Sequence, residues 1–146
     1  RDLDATNVAQ ARALLDAAGL ADIAHCETGD AFAEAELAAL RPHPNLVTVS
    51  GLYELFSDNQ LVAASLRGLA QAIERGGYLI YTGQPWHPQI ELIARTLTSH
   101  RGHQPWIMRR RTQAEIDELV RVAGFSKLAQ WIDDWGMFSV SLARRD

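Results

Sequence analysis

Four short segments hold the residues of this chain whose types and spacing could do chemistry. Asp2-Leu3-Asp4 and Gly29-Asp30-Ala31-Phe32 each set a carboxylate beside apolar side chains. Ser50-Gly51-Leu52-Tyr53-Glu54-Leu55-Phe56 places a hydroxyl, a phenol and a carboxylate around a glycine. Gln84-Pro85-Trp86-His87-Pro88 offers an amide, an indole and an imidazole. His87 could be a general base, because an unperturbed imidazole titrates near pH ~6.5. Pro85 and Pro88 fix backbone angles on either side of it, which suits a wall that must hold its shape. Tyr53 could touch a substrate, and Gln84 and Trp86 could line the same pocket. Each feature also has a plainer reading. Asp2 and Asp30 could be helix caps or turn residues. Tyr53 and Glu54 could open a helix with Leu52, Leu55 and Phe56 inward, and Trp86 could cover the core.

The last two segments gain weight from what precedes them. Leu46-Val47-Thr48-Val49 and Tyr78-Leu79-Ile80-Tyr81-Thr82 are apolar, β-branched or aromatic runs that stop at Ser50-Gly51 and Gly83. They read as buried strands, and ligands of open α/β sheets sit outside the carboxyl ends of such strands. A helix is expected from Thr6 to Ala18, with Val8, Ala11, Leu15 and Ala18 inward, and a short strand from Ile23 to Glu27. Further helices are expected around Glu34 to Leu40, from Asn59 to Arg75 behind a cap at Asp58, and from Pro88 to Leu97. In the last of these, Ile90, Ile93, Ala94 and Leu97 would face inward. Thr112 and Glu115 form a capping box for a helix to Ala123. Thr98 to Arg111 shows no period and reads as a loop or ragged strand. Ser126–Ile132 and Met137–Ala143 flank Asp133-Asp134-Trp135-Gly136 and should pair as an antiparallel hairpin. Strand–helix alternation of this kind implies a mostly parallel sheet with helices on both faces.

Composition narrows the function classes. The 146 residues suffice for one domain with its own core. A net charge of −4 argues against a general nucleic-acid binder, which needs a basic face. A single cysteine, Cys26, excludes an intramolecular disulfide and reads as a small buried hydrophobe. No apolar run approaches a membrane span, and cytoplasm is the default compartment. His100 and His103 would share a helix face, but Gly102 argues against a helix and no carboxylate or thiol completes a set, so no metal site is expected. Arg109-Arg110-Arg111 reads as a solvated run or as a clamp for an anionic substrate. The chain opens with Arg1 inside an apparent structural element, which leads us to expect that the natural amino terminus lies upstream.

This order of elements, with its terminal hairpin, resembles the class I S-adenosylmethionine-dependent methyltransferases from their second strand onward. Over nearly the whole chain, SGLYELF, YTGQPWHPQ and WIMRRRTQAEID are similar to a bacterial methyltransferase family, some of whose members carry an α/β-hydrolase-like domain upstream. The resemblance implies a Rossmann-like α/β sheet, mostly parallel with a C-terminal antiparallel hairpin, and S-adenosyl-L-methionine as cofactor. It implies that Asp2, with Leu3 beside it and Asp4 as the alternative, accepts hydrogen bonds from the ribose hydroxyls. A carboxylate has two oxygens suited to a vicinal diol. It places Asp30 on the adenine amine, Ala31 and Phe32 against the ring, and Ser50, Gly51 and Leu52 at the sulfonium side.

The family's first strand and its glycine-rich loop, which lets backbone approach the methionine moiety, have no counterpart in these residues. That strand is central, so its absence should leave a gap in the sheet and unpaired backbone groups. The expected activity is methyl transfer to a small molecule, carried out by a longer parent protein, with this chain alone a poor enzyme. The main alternative is a degenerate methyltransferase fold serving as a scaffold for an upstream domain. A nicotinamide-dependent oxidoreductase fits less well, since a second mononucleotide-binding half is lacking.

Overall fold

Three short polar side chains set the helix starts. In the computed structural model, which describes residues 1–98 and 103–146, Asp4 caps α1 (Ala5–Ala17) by accepting the Thr6 amide at 2.7 Å. Asp58 caps α3 (Asn59–Ala72) through Gln60 N at 2.8 Å, and Thr112 caps α5 (Gln113–Val122) through Glu115 N at 3.1 Å. Each satisfies an amide that the first helical turn would otherwise leave unpaired. The reciprocal half of the expected capping box is put to other use, because the Glu115 carboxylate accepts from Asn59 Nδ2 and Arg109. The remaining elements are α2 (Glu34–Ala38), β1 (Leu46–Val49), a 3₁₀ turn at Tyr53–Leu55, β2 (Tyr78–Gly83), α4 (Ile90–Thr96), β3 (Phe125–Ile132) and β4 (Ser139–Arg145).

The four strands form one sheet in the order β1-β2-β4-β3. β1 and β2 are parallel, with Val47 opposite Leu79 and Val49 opposite Tyr81. β2–β4 and β4–β3 are antiparallel, the last pair being the expected hairpin. Its turn is closed by Asp133, whose Oδ1 accepts from Met137 N at 2.8 Å and Phe138 N at 2.9 Å, and by Gly136 at φ +67°. The sheet is thus mixed, with one parallel pair, where the alternation of elements led us to expect mostly parallel pairing. A second parallel contact lies outside it, a single bridge between Asp2 and Thr28.

One face of the sheet holds the core. Leu79, Tyr81 and Ala143 pack there against Leu37 of α2, Val62, Leu66 and Leu69 of α3, and Ile116 and Val120 of α5. α2 and α3 approach so closely that a Cβ on Gly68 would lie 2.8 Å from the Glu34 carbonyl oxygen and 2.8 Å from Leu37 Cβ.

The other face departs from expectation. Helices were expected on both faces, yet Leu46 with its ladder partner Tyr78, and Val140 with its partner Trp131, are all exposed. Of the residues expected to turn inward on α1, only Val8 is buried, and α4 buries none. The expected strand at Ile23–Glu27 does not form either; Ile23 is 80 % exposed. The physical reason is shared: an amphipathic helix or isolated strand gains its stability from a partner surface, and these segments have little to pack on.

Candidate functional site

The ends of β1 and β2 meet at one edge. The chain leaves β1 through Ser50 and turns at Gly51, whose φ of +65° is a conformation that glycine adopts without steric cost. The Gly51 amide then donates to Thr82 Oγ1 at 2.8 Å, tying the two strand ends together. The two strand ends expected to share a pocket therefore lie side by side.

Beyond Gly51 the 3₁₀ turn buries Tyr53, and its hydroxyl pairs with Ser65 Oγ at 2.9 Å. Burial pushes the phenol up to about 12, against a smaller opposing effect of the Ser65 bond. Arg111 fixes this turn from behind. It is 6 % exposed and donates to Tyr53 O (2.7 Å), Phe56 O (2.8 Å) and Asn59 Oδ1 (2.7 Å). Arg109 donates to Ser57 O at 2.9 Å and forms an ion pair with Glu115, and Arg110 donates to Gln84 Oε1. The triple arginine, read from sequence as solvated or as an anion clamp, is largely occupied in holding backbone and side chains of the site.

These parts border a small, open cleft. Tyr53, Glu54, Thr82, Gly83, Gln84 and Pro85 line it from the strand ends, with Gln113 and Ile116 of α5 opposite and Arg109 and Arg111 at its side. Gln113 is held by Ser139 Oγ, which donates to its Oε1 at 2.8 Å, while its Nε2 donates to Asp117 Oδ1 at 2.7 Å. Asp117 also accepts from the Tyr81 hydroxyl at 2.7 Å and pairs with Lys127. Burial would raise the Asp117 carboxyl, but the bonds from Lys127, Tyr81 and Gln113 outweigh it and hold the group below its ordinary value.

Glu54 is the residue sequence reasoning passed over. Its Oε2 is buried with no hydrogen-bond partner. Burial raises its carboxyl above the ordinary range, and the positive charges of Arg110 and Arg111 offset this only in part. A signal existed: a carboxylate set between Tyr53 and Leu55 at a strand end, in a chain with three consecutive arginines. Nothing in the linear order, however, shows that the arginines return to that strand end.

The other sequence-derived residues fall in two groups. Asp2 N donates to Glu27 O at 3.3 Å and Gly29 N to Asp2 O at 3.0 Å, so Asp2 and Gly29-Asp30 lie side by side. Asp2 is exposed; its Oδ1 accepts from Asp4 N at 2.8 Å and its Oδ2 from Asn7 Nδ2 at 3.4 Å. Leu3 is 69 % exposed, and Asp4 is the α1 cap. Asp30 Oδ1 accepts from Phe32 N at 2.8 Å, and the Phe32 ring packs on Phe56 at 4.2 Å and nears Tyr53 at 6.4 Å. Ala31 is half-buried between them in sequence.

In the loop after β2, Gln84 faces the cleft, but Trp86 is 55 % exposed and His87 Nδ1 accepts from Gln89 N at 3.1 Å; neither lines the cleft. His103 has φ +55°, and His100 lies outside the described residues. Among the described residues no group of histidine, cysteine and carboxylate could hold a metal ion, and no helix is long and apolar enough to cross a membrane.

Strand ends tied edge to edge, acidic residues after the amino-terminal segments and an antiparallel hairpin closing the sheet define a methyltransferase-type, Rossmann-like α/β fold. Solved structures agree. A SAM-dependent methyltransferase from Methanosarcina mazei matches 99 % of this chain and 79 % of its own, with a TM-score of 0.70 at 12 % identity. Magnesium protoporphyrin IX methyltransferase from Synechocystis PCC 6803, solved with bound SAH, matches 99 % of this chain and 61 % of its own, with a TM-score of 0.72 at 16 % identity.

The chain belongs to the family described as "Putative methyltransferase", whose model matches residues 1–145. It is 57 % identical over 147 residues to "Uncharacterized protein YnbC" of Escherichia coli (strain K12), covering all of this chain and a quarter of that relative.

Proposed function

We propose that these residues carry S-adenosylmethionine-dependent methyl transfer to a small-molecule acceptor, as part of a longer protein in which an α/β-hydrolase-like domain precedes them. The observation that carries the reading is the pairing of Asp2 with Thr28, which sets two carboxylates at adjacent segments, with Phe32 of the second segment packed on Phe56 after the end of β1. The donor set fits the cofactor's adenosine half. Asp2 has lone pairs beyond the two bonds it accepts and suits a vicinal diol; Asp30 suits an exocyclic amine.

When bound, the cofactor would supply a methyl group already activated on sulfur, so the protein's task is to position the acceptor and exclude water. In this reading Ser50, Gly51 and Leu52 border the sulfonium side. Gln84, steadied by Arg110, presents an amide to the acceptor. Tyr53 forms the floor of the cleft with its hydroxyl held by Ser65. His87 and Trp86, outside the cleft, would reach a substrate only where it extends past Pro85.

Calorimetric titration of S-adenosylhomocysteine into the full-length protein tests the proposal. Saturable binding supports it; an absence of heat at millimolar ligand favours the scaffold reading.

A further inference from the structure

We infer that the outer edge of β3 pairs antiparallel with the same strand of a second copy of this chain, joining two sheets into one about a two-fold axis at Gln130. The inference stands independently of the methyl-transfer reading. β3 ends the sheet order β1-β2-β4-β3, so its outward backbone donors and acceptors meet no strand among the described residues. It has eight residues, against four in β1 at the other edge. Its side chains are apolar where a solvated edge would be polar: Leu128, Trp131 and Ile132 are each at least half exposed. Trp135 and Phe138 continue the apolar surface at the hairpin turn, and exposed Val122 continues it at the other end, where α5 leads into β3. A long apolar edge of this kind is a template for another strand.

The strand is complementary to itself. Pairing about Gln130 sets Trp131 of one copy opposite Ala129 of the other. Both lie on one face of the sheet, since they pair with Val140 and Leu142 of β4, so a large ring meets a small side chain. Leu128 falls opposite Ile132, each covering the other. Charges agree at the strand ends. Asp134 of one copy arrives beside Ser126 of the other, whose ladder neighbour is Arg144. Asp134 and Arg144 are exposed, and neither side chain has a partner among the described residues. Two strand spacings, about 10 Å between backbones, separate them, within reach of an arginine. The two-fold axis makes the contact twice and brings each Trp135 turn to the Val122 end of the other copy.

Two features that commonly deter edge pairing are disarmed here. The charge of Lys127 is taken up by Asp117 of its own copy. The bulge between Lys127 and Ala129 lies outside the central residues 129–131. A strand of unrelated sequence would gain the backbone bonds but not these side-chain matches, and it is the matches that select a second copy.

Sedimentation equilibrium of the full-length protein tests the inference. An edge contact is small among protein interfaces, so dimers are expected at about 100 µM protein. Gln130→Cys sets a thiol against its own copy on the axis and should give a disulfide-linked dimer in air, whereas Glu36→Cys on α2 should not. Arg144→Asp or Asp134→Arg alone should weaken association about tenfold, and the two together should restore it. Should Gln130→Cys fail to fold, the charge exchange at exposed positions decides alone. A monomer at that concentration overturns the inference. So does cross-linking no greater than in Glu36→Cys, or a dimer indifferent to the single charge reversals, which would place the interface elsewhere.

Discussion

Glu54 lines the cleft and Asp117 holds Gln113 of its opposite wall, and their surroundings push the two carboxylates in opposite directions. Burial raises Glu54 above its ordinary range, whereas Lys127, Tyr81 and Gln113 hold Asp117 below its own. The consequences for stability have opposite signs. Between its unfolded and folded values Glu54 binds more protons in the native state, so it costs stability as pH rises through that window. Glu54→Gln should therefore raise the melting temperature at pH 7 and lose this advantage in acid, where the wild-type carboxyl is protonated. Calorimetric scans at the two pH values check it. Asp117 contributes stability above its unfolded value and loses it as pH falls through the depressed folded one. Asp117→Ala should cost about 1–3 kcal/mol at neutral pH, because the Tyr81 hydroxyl and Gln113 amide lose a shared acceptor. Urea unfolding at pH 7 and below pH 4 should show that difference shrinking. At this scale sequence reading was least informative. It named the segment holding Glu54 but assigned no role to the residue, because the oxygen's isolation depends on side chains that come from Arg109–Arg111 and α5, far along the chain.

At the scale of elements, the caps and turns were legible because their chemistry is local. Asp58, Thr112 and the Asp133–Gly136 turn act within a few residues of themselves; Asp58 and the turn do so as expected, and Thr112 caps its helix without the reciprocal Glu115 bond. Close approaches between elements were not legible. Gly68 lies in the middle of α3, where alanine would ordinarily favour the helix by up to about 1 kcal/mol. Here a Cβ would press on the backbone of α2. We expect Gly68→Ala to destabilise by about 1–3 kcal/mol instead, since two helices would have to separate; denaturant unfolding gives the sign directly. Arg111 is a second such case. It joins the 3₁₀ turn, the Phe56 carbonyl and Asn59, so Arg111→Met removes three charge-assisted hydrogen bonds at once, leaving Asn59 Oδ1 with Arg109 and Tyr53 O with the Phe56 amide. A loss of about 3 kcal/mol or more is expected, with the cleft loosened as the turn comes free. The run of three arginines could be read as solvated only because the carbonyls it returns to precede it by more than fifty positions.

For the whole molecule, the parts that met expectation and the parts that did not separate by what they pack on. The core face of the sheet, served by α2, α3 and α5, formed as the apolar patterns implied. The segments that fell short (the strand at Ile23–Glu27, α1 and α4) lie away from that core, and the opposite sheet face carries exposed Leu46, Tyr78, Val140 and Trp131. Patterning states which residues seek burial, but not whether a partner surface is at hand. The E. coli relative extends well beyond the matched quarter, and the two solved methyltransferases also extend beyond what this chain covers. The most direct measurement is the titration of S-adenosylhomocysteine into the full-length protein and its Asp2→Asn variant. We expect saturable one-site binding, weakened about tenfold in the variant through loss of a charged acceptor at the ribose. No heat at millimolar ligand, or equal affinity in both proteins, would contradict the assignment of these residues to a methyl-donor site.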